Sequence, residues 1–498
     1  MTDDGIEVRT AWGAVRGRRE EDLAVFRGIP FAQPPVGALR FAAPQPATWD
    51  GVRDAAEFGP APPQSGPLRA EGTAGTEWLT VNVWSPDPGG AGLPVLVWIY
   101  GGAYMSGSSG DPAYDAALIA RQGLVMVTLN YRVGVEGFAQ LDGAPANRGL
   151  LDQLAALQWV QQNIAHFGGD PDQVTVCGQS AGAGSIATLL AMPLAAGLFR
   201  RAIAQSVPGL YCTPALAADV SAHLAKRLGT DSTAAGLADI EPQRLADEVD
   251  AISSELPTHA DRWGRLARMG SAFLPVVDGD VVPDVPWRAL ADGRAAGVEL
   301  LTGHTKDEFR LFLAMGGGLG KITQKDASTA LRGLAPGPDG EKAYRKGYPY
   351  ASAQTLFELV HSDTSFRMPS LHLAEAHTAA GGTSFFYELR WTTPAMSGAL
   401  GACHGLDVPL LFGTFDTPFG QIMLGDQEPS AEALRLAEEI RRAWAAFAAH
   451  GEPGWPAYRA DERLTRLLDA DSTTVPYPEE SSRQIWQEHH SEPFDLLG

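Results

Sequence analysis

The pentapeptide Gly178-Gln179-Ser180-Ala181-Gly182 constrains this chain more than any other feature, because of its surroundings. Before it stands Val174-Thr175-Val176-Cys177, a β-branched run ending in a small apolar residue; after it, Ala183 to Met192 is rich in small helix-compatible residues. A Gly-x-Ser-x-Gly between strand and helix forms a sharp turn that lifts the serine hydroxyl out of the backbone. Small residues must stand two positions away on each side. The following helix aims its positive N-terminal end at the serine, where an anionic intermediate would form.

The rest of the chain supplies the alternation such a turn needs. Pro94–Tyr100 is a buried strand ending in Gly101-Gly102, and Leu124–Asn130 is the next. Leu150, Leu154, Leu157, Val160 and Ile164 then recur at helical spacing along one apolar face. Gly168-Gly169-Asp170-Pro171 breaks that helix. Beyond the pentapeptide, Arg201–Gln205, Val298–Thr302 and Thr383–Leu389 read as strands, and Leu434–Ala449 as an amphipathic helix closed by Gly451 and Pro453. The order predicts parallel β-α units: an α/β fold with a central, mostly parallel twisted sheet flanked by helices. Two mainly helical insertions, near 215–266 and 314–375, are expected to roof the active site. No internal repeat or linker parts the chain, so one domain over 5–490 is expected.

Composition excludes several other classes. A net charge of −21 repels nucleic acid and anionic membranes. The longest apolar runs are strand-length, too short to span a bilayer. The three cysteines, Cys177, Cys212 and Cys403, form neither a disulfide framework nor a Cys-x-x-Cys metal spacing. The acidic start Met1–Gly5 has no apolar stretch of a signal peptide. A cytoplasmic monomer with neither metal nor organic cofactor is the expectation.

A serine hydroxyl attacks only if a base takes its proton, and the base needs an acid to orient it. In a strand-turn-helix site of this kind the chain order is serine, acid, histidine. After Val298–Thr302 stand two candidate acids, Asp307 and Glu308; after Thr383–Leu389 stands His404, in the small-residue loop Ala402-Cys403-His404-Gly405. His304 precedes both acids and fails the order. For the oxyanion, Tyr100-Gly101-Gly102-Ala103 follows a strand directly, so the N–H groups of Gly102 and Ala103 could join that of Ala181. Each such donor contributes roughly 2.7–4 kcal/mol of transition-state stabilisation.

Three further motifs carry a resemblance. Phe26-Arg27-Gly28-Ile29-Pro30-Phe31-Ala32-Gln33-Pro34-Pro35-Val36-Gly37, Asn130-Tyr131-Arg132-Val133-Gly134 and Phe167-Gly168-Gly169-Asp170-Pro171 are similar to signatures of the type-B carboxylesterases. This α/β-hydrolase family includes para-nitrobenzyl esterases and cholinesterases, and the resemblance runs from about Val8 to Trp455-Pro456-Ala457-Tyr458. It implies Glu308 as the acid, His404 as the base and Ser180 as the nucleophile. Several positions depart from the family pattern. Thr76-Glu77-Trp78-Leu79 replaces a cysteine-bearing block, so the family's N-terminal disulfide cannot form. Gln179 stands for the usual glutamate, Phe309 for the usual glycine, and Pro60–Gly75 has no tryptophan to hold a quaternary ammonium.

The implied activity is ester hydrolysis through an acyl-enzyme on a small-molecule substrate. The alternatives are an amide, carbamate or thioester as substrate, or a binding protein without catalysis. Arg132 and Asp152 are expected to form a buried structural pair, and Cys177 and Cys403 to be small packing residues.

Overall fold

The computed structural model describes residues 5–66, 69 and 75–497. Part of the loop Pro60–Gly75 and the acidic start therefore lie outside the described residues.

Thirteen strands form one sheet. In chain order they are β1 (Gly5–Arg9), β2 (Ala14–Glu20), β3 (Leu23–Pro30), β4 (Val52–Asp54), β5 (Thr80–Ser85), β6 (Leu93–Ile99) and β7 (Val125–Leu129). They continue as β8 (Gly169–Gln179), β9 (Arg201–Gln205), β10 (Glu299–Thr305), β11 (Ser384–Leu389), β12 (Leu464–Leu468) and β13 (Thr473–Pro476). Their spatial order is β1-β2-β3-β5-β7-β6-β8-β9-β10-β11-β12-β13, with β4 beside β2. From β7 to β12 every pairing is parallel; β1, β2, β3, β5 and β7 pair antiparallel, as do β12 and β13.

The central strands are buried on both faces, as parallel strands between helical layers must be. Every residue of β7, β9 and β11 is buried. The expected helix after β7 runs Arg148–Asn163, with a last 3-10 turn to Phe167, and Leu150, Leu154, Leu157, Val160 and Ile164 are all in the core. Gly168 ends it in the left-handed region at φ 86°. The late helix spans Ala431–His450 and stops at left-handed Gly451.

Three features differ from the sequence reading. The strands β1 to β5, antiparallel except for β4, which pairs parallel with β2, are not anticipated there: β2, Ala-Val-Arg-Gly-Arg-Arg-Glu, has too much charge and too few apolar residues for a two-residue period to stand out. The breaker at Gly168 ends the helix, yet β8 starts at once and includes Asp170 and Pro171. The expected insertion 314–375 contains a second apolar cluster, including Leu331, Leu334, Leu356, Val360 and Leu371.

Candidate active site

The carboxyl ends of β6, β8, β9 and β10 converge with the loop after β11. At β8 the pentapeptide adopts the expected turn: Ser180 has φ 56° and ψ −124°, between strand Gly169–Gln179 and helix Ala181–Ala191. A non-glycine residue in this conformation is strained. Packing imposes it. A Cβ on Gly182 would stand 2.0 Å from the Ile99 carbonyl oxygen, and one on Gly178 2.6 Å from the same atom. Both glycines are therefore required by the close approach of β6 to the turn.

Glu308 and His404 meet across 96 residues of chain. Glu308 Oε2 accepts the Nδ1–H of His404 at 2.5 Å, while Oε1 accepts from Ser206 Oγ at 2.6 Å and from the Thr305 N–H at 2.8 Å. Burial alone would raise this fully buried carboxyl. The facing His404 and the hydrogen bonds from His404, Ser206 and Thr305 outweigh burial and hold it below its ordinary value. Glu308 is therefore an ionised acceptor that fixes the imidazole with its free lone pair on Nε2. Asp307 takes another part. Its Oδ2 accepts the Ala402 N–H at 3.0 Å and its Oδ1 pairs with Arg310 at 3.2 Å, tying down the loop that carries His404.

His404 Nε2 faces the pentapeptide, where Gln179 Nε2 stands 3.1 Å away. With Nδ1 protonated, the Gln179 amide donates to that lone pair. Ser180 Oγ makes no hydrogen bond with His404 in this conformation. Behind His404 the Phe366 ring stacks at 4.1 Å, and Phe312 lies at 5.3 Å. Phe366 sits in a π-helical turn, Asp363–Arg367, inside the second insertion, which therefore does roof the site.

The loop after β6 curls over the turn. Gly102, Ala103 and Tyr104 all have positive φ, at 115°, 56° and 62°. Among the described residues, the N–H groups of Gly102, Ala103 and Ala181 donate to no protein acceptor. Gly101 approaches so closely that a Cβ there would lie 3.1 Å from Ser180 Cβ.

His304, set aside on chain order, is buried at the end of β10 and bonded to the Thr305 carbonyl and the Tyr477 hydroxyl. Arg132 and Asp152 form the expected pair, fully buried, through two 2.8 Å hydrogen bonds. All three cysteines are buried and free, and burial raises the Cys177 and Cys403 thiols. Sequence reasoning misses Ser206 and Phe366. Ser206 directly follows β9, a position at a strand's carboxyl end that could have drawn attention; nothing local marks Phe366.

This fold, with a strained serine turn at the end of its central strand, defines a serine hydrolase of the α/β-hydrolase type. The model of the carboxylesterase family matches residues 4–486. The chain is 36% identical over 499 residues to the para-nitrobenzyl esterase of Bacillus subtilis strain 168, covering 96% of this chain and 97% of that protein. It is 34% identical over 488 residues to the phenmedipham hydrolase of Pseudarthrobacter oxydans, covering 94% and 95%. A crystal structure of a Geobacillus stearothermophilus carboxylesterase superposes with a TM-score of 0.85 at 34% identity, covering 97% of this chain and 100% of that one. The chain belongs to the carboxylesterase family. It is a serine hydrolase of carboxylic esters, acting on small-molecule substrates.

Proposed function

We propose that Ser180, His404 and Glu308 carry the hydrolysis, and that the N–H groups of Gly102, Ala103 and Ala181 bind the oxyanion. The observation that carries this is the 2.5 Å bond from His404 Nδ1 to Glu308, with Nε2 turned to the residue beside Ser180. The Ser180 hydroxyl displaces the Gln179 amide from that lone pair and gives up its proton as Oγ attacks the ester carbonyl. Glu308 stabilises the imidazolium that forms. The carbonyl oxygen, now anionic, takes up the N–H groups left free around the turn. His404 then protonates the departing alcohol, and water repeats the cycle on the acyl-enzyme. No step requires a metal or an organic cofactor.

The same reading extends to substrate and setting. The rings of Phe366 and Phe312 beside His404 support esters with an aromatic or apolar part next to the scissile bond, as in the para-nitrobenzyl group named for the Bacillus relative. We also propose that the chain works as one domain over 5–490, as a cytoplasmic monomer without nucleic-acid or membrane partners. The single sheet supports the one domain, and the charge of −21 the lack of nucleic-acid and anionic-membrane partners.

The test is chemical. A fluorophosphonate should label the protein once, and Ser180→Ala should lose both labelling and turnover. Glu308→Gln should lower kcat about 10⁴-fold by removing the acceptor that fixes the tautomer. Asp307→Asn, which keeps an acceptor for Ala402, should cost less than about tenfold. Labelling that survives Ser180→Ala, or a reversed order of the two acid variants, overturns the assignment.

A further inference from the structure

The first helical insertion brings together two imidazoles and a carboxylate that are not part of the catalytic groups. His223 lies on helix Pro214–Leu228, Glu255 ends helix Pro242–Glu255, and His259 closes the 3-10 turn that follows. One ligand atom from each lies within 4.8 Å of the others, and all three residues are partly buried. His223 Nε2 is 3.8 Å from Glu255 Oε2, and it is a buried nitrogen without a hydrogen-bond partner. The two imidazole rings stand 4.8 Å apart, edge to face, and His259 stacks on Trp263 at 4.2 Å.

We propose that His223, Glu255 and His259 form a binding site for one divalent transition-metal ion of the zinc class, with water as the fourth ligand. Two neutral imidazoles and one carboxylate are a ligand set that zinc accepts. A tetrahedral site with bonds of about 2.1 Å keeps its ligand atoms roughly 3.4 Å apart, so side-chain rotations close the cluster without moving the helices. Arg227 donates to Glu255 at 2.8 Å and to the more buried Glu248 at 2.6 Å. On metal binding it keeps Glu248 and one oxygen of Glu255, and so orients the ligating carboxylate from outside.

The ion would be structural. It would tie the helix bearing His223 to the end of the helix bearing Glu255. Two residues before Glu255, Ser253 Oγ contacts Met105 Sδ at 3.4 Å, on the loop that follows Gly102 and Ala103. The staple would thus brace a wall next to the oxyanion loop while leaving the catalytic groups untouched.

The experiment uses the full chain, stripped with a chelator and titrated with Zn²⁺ in competition with a chromophoric chelator. Wild type should bind one tight equivalent, and Co²⁺ in its place should give the visible absorption of a tetrahedral ion. His223→Ala and His259→Phe, the latter keeping a ring on Trp263, should each weaken binding by more than the 10–100-fold that loss of an outer partner costs. Excess Zn²⁺ should raise the melting temperature of wild type and not that of the double variant. Ester turnover by stripped wild type should stay within about twofold of that with metal. Wild type binding no Zn²⁺ equivalent, or variants that bind and melt with Zn²⁺ as wild type does, would overturn the proposal.

Discussion

Gln179 stands where the family resemblance leads one to expect a glutamate, a change of charge beside the serine turn. Its amide meets the nitrogen of His404 that receives the serine proton in the proposed mechanism, at 3.1 Å, in a site where Gln179 is only 6% exposed. A neutral amide at that point can donate to the neutral imidazole or, flipped, accept from the imidazolium, but it carries no charge that favours the charged ring. A carboxylate there would do the reverse, favouring the charged ring and occupying its Nε2–H. Gln179→Glu should therefore lose its base to protonation at higher pH. The acidic limb of kcat/KM is expected to move upward by a fraction of a unit to about one unit, and cationic esters to gain modestly over neutral ones of equal size. The measurement is a pH–rate profile of both proteins on one neutral ester at constant ionic strength. A limb that stays put or moves down would show that position 179 does not govern protonation of the site. His404 is also held by contacts of a different kind: Asp307 anchors its loop from beneath and Phe366 covers its face.

Among the elements, the turn after β7 and the helix Arg148–Asn163 form the part on which the oxyanion loop rests. Arg132, in the turn, binds Asp152, in the helix, through its backbone N–H at 3.0 Å as well as through its guanidinium. The same turn receives the oxyanion loop, since the Gly134 N–H donates to the Tyr104 carbonyl at 2.7 Å. Tyr131 and Tyr100 add stacked rings at 4.5 Å, with the Tyr131 hydroxyl on the Tyr100 carbonyl. A charge pair buried this deeply adds little over an apolar pair of equal volume, but removing one partner strands the other. Asp152→Ala should destabilise the protein by about 3–5 kcal/mol, read as a lower denaturant midpoint, because Arg132 is left charged and buried. A loss below about 1 kcal/mol would show that water or a shifted carbonyl can replace Asp152.

Across the whole molecule, the sheet sets the catalytic ends of its strands beside a dense ionic region at β10 and β11. Glu388 on β11 is fully buried, and neither of its oxygens has a hydrogen bond; Arg390 lies 3.3 Å away and His304 4.0 Å. Burial pushes its carboxyl up to about 8, aided by nearby Glu479 and opposed by Arg367, Arg390 and Lys306. An unfolded chain releases that proton near 4.5. Between these values the folded protein holds a proton the unfolded chain lacks, so this group's contribution to stability falls as pH rises from about 4.5 to about 8. Glu388→Gln removes the titration. At about 1.4 kcal/mol per unit, the variant should gain a few kcal/mol on wild type between pH 5 and pH 8.5, whatever its starting level. Thermal unfolding of both proteins across that range would show a widening difference in Tm. A constant difference would mean that Glu388 remains ionised throughout.

What the sequence alone determined was local or ordered along the chain. The strand-turn-helix around Ser180, the helical face from Leu150 to Ile164 and the end at Gly451 all follow from propensities, periodicities and turn chemistry within a few residues of each site, whereas the order serine, acid, histidine comes from the type of site that turn implies. So does the choice of small residues around the nucleophile, although the reason, the 2.0 Å and 2.6 Å approaches to the Ile99 carbonyl oxygen, belongs to the packed sheet. Glu308 and Asp307 are adjacent and chemically alike. The family pattern preferred one, and the backbone geometry after β10 is what turns Glu308 to His404 and Asp307 to Ala402. The strands β1 to β5 gain their stability from neighbours rather than from their own pattern. The contacts of His404 with Gln179, of Glu308 with Ser206 and of Phe366 with His404 span 225, 102 and 38 residues of chain respectively. Such contacts depend on strand register and on how the insertions fold back. No short stretch of sequence encodes them, because the energy that selects them comes from the packed whole.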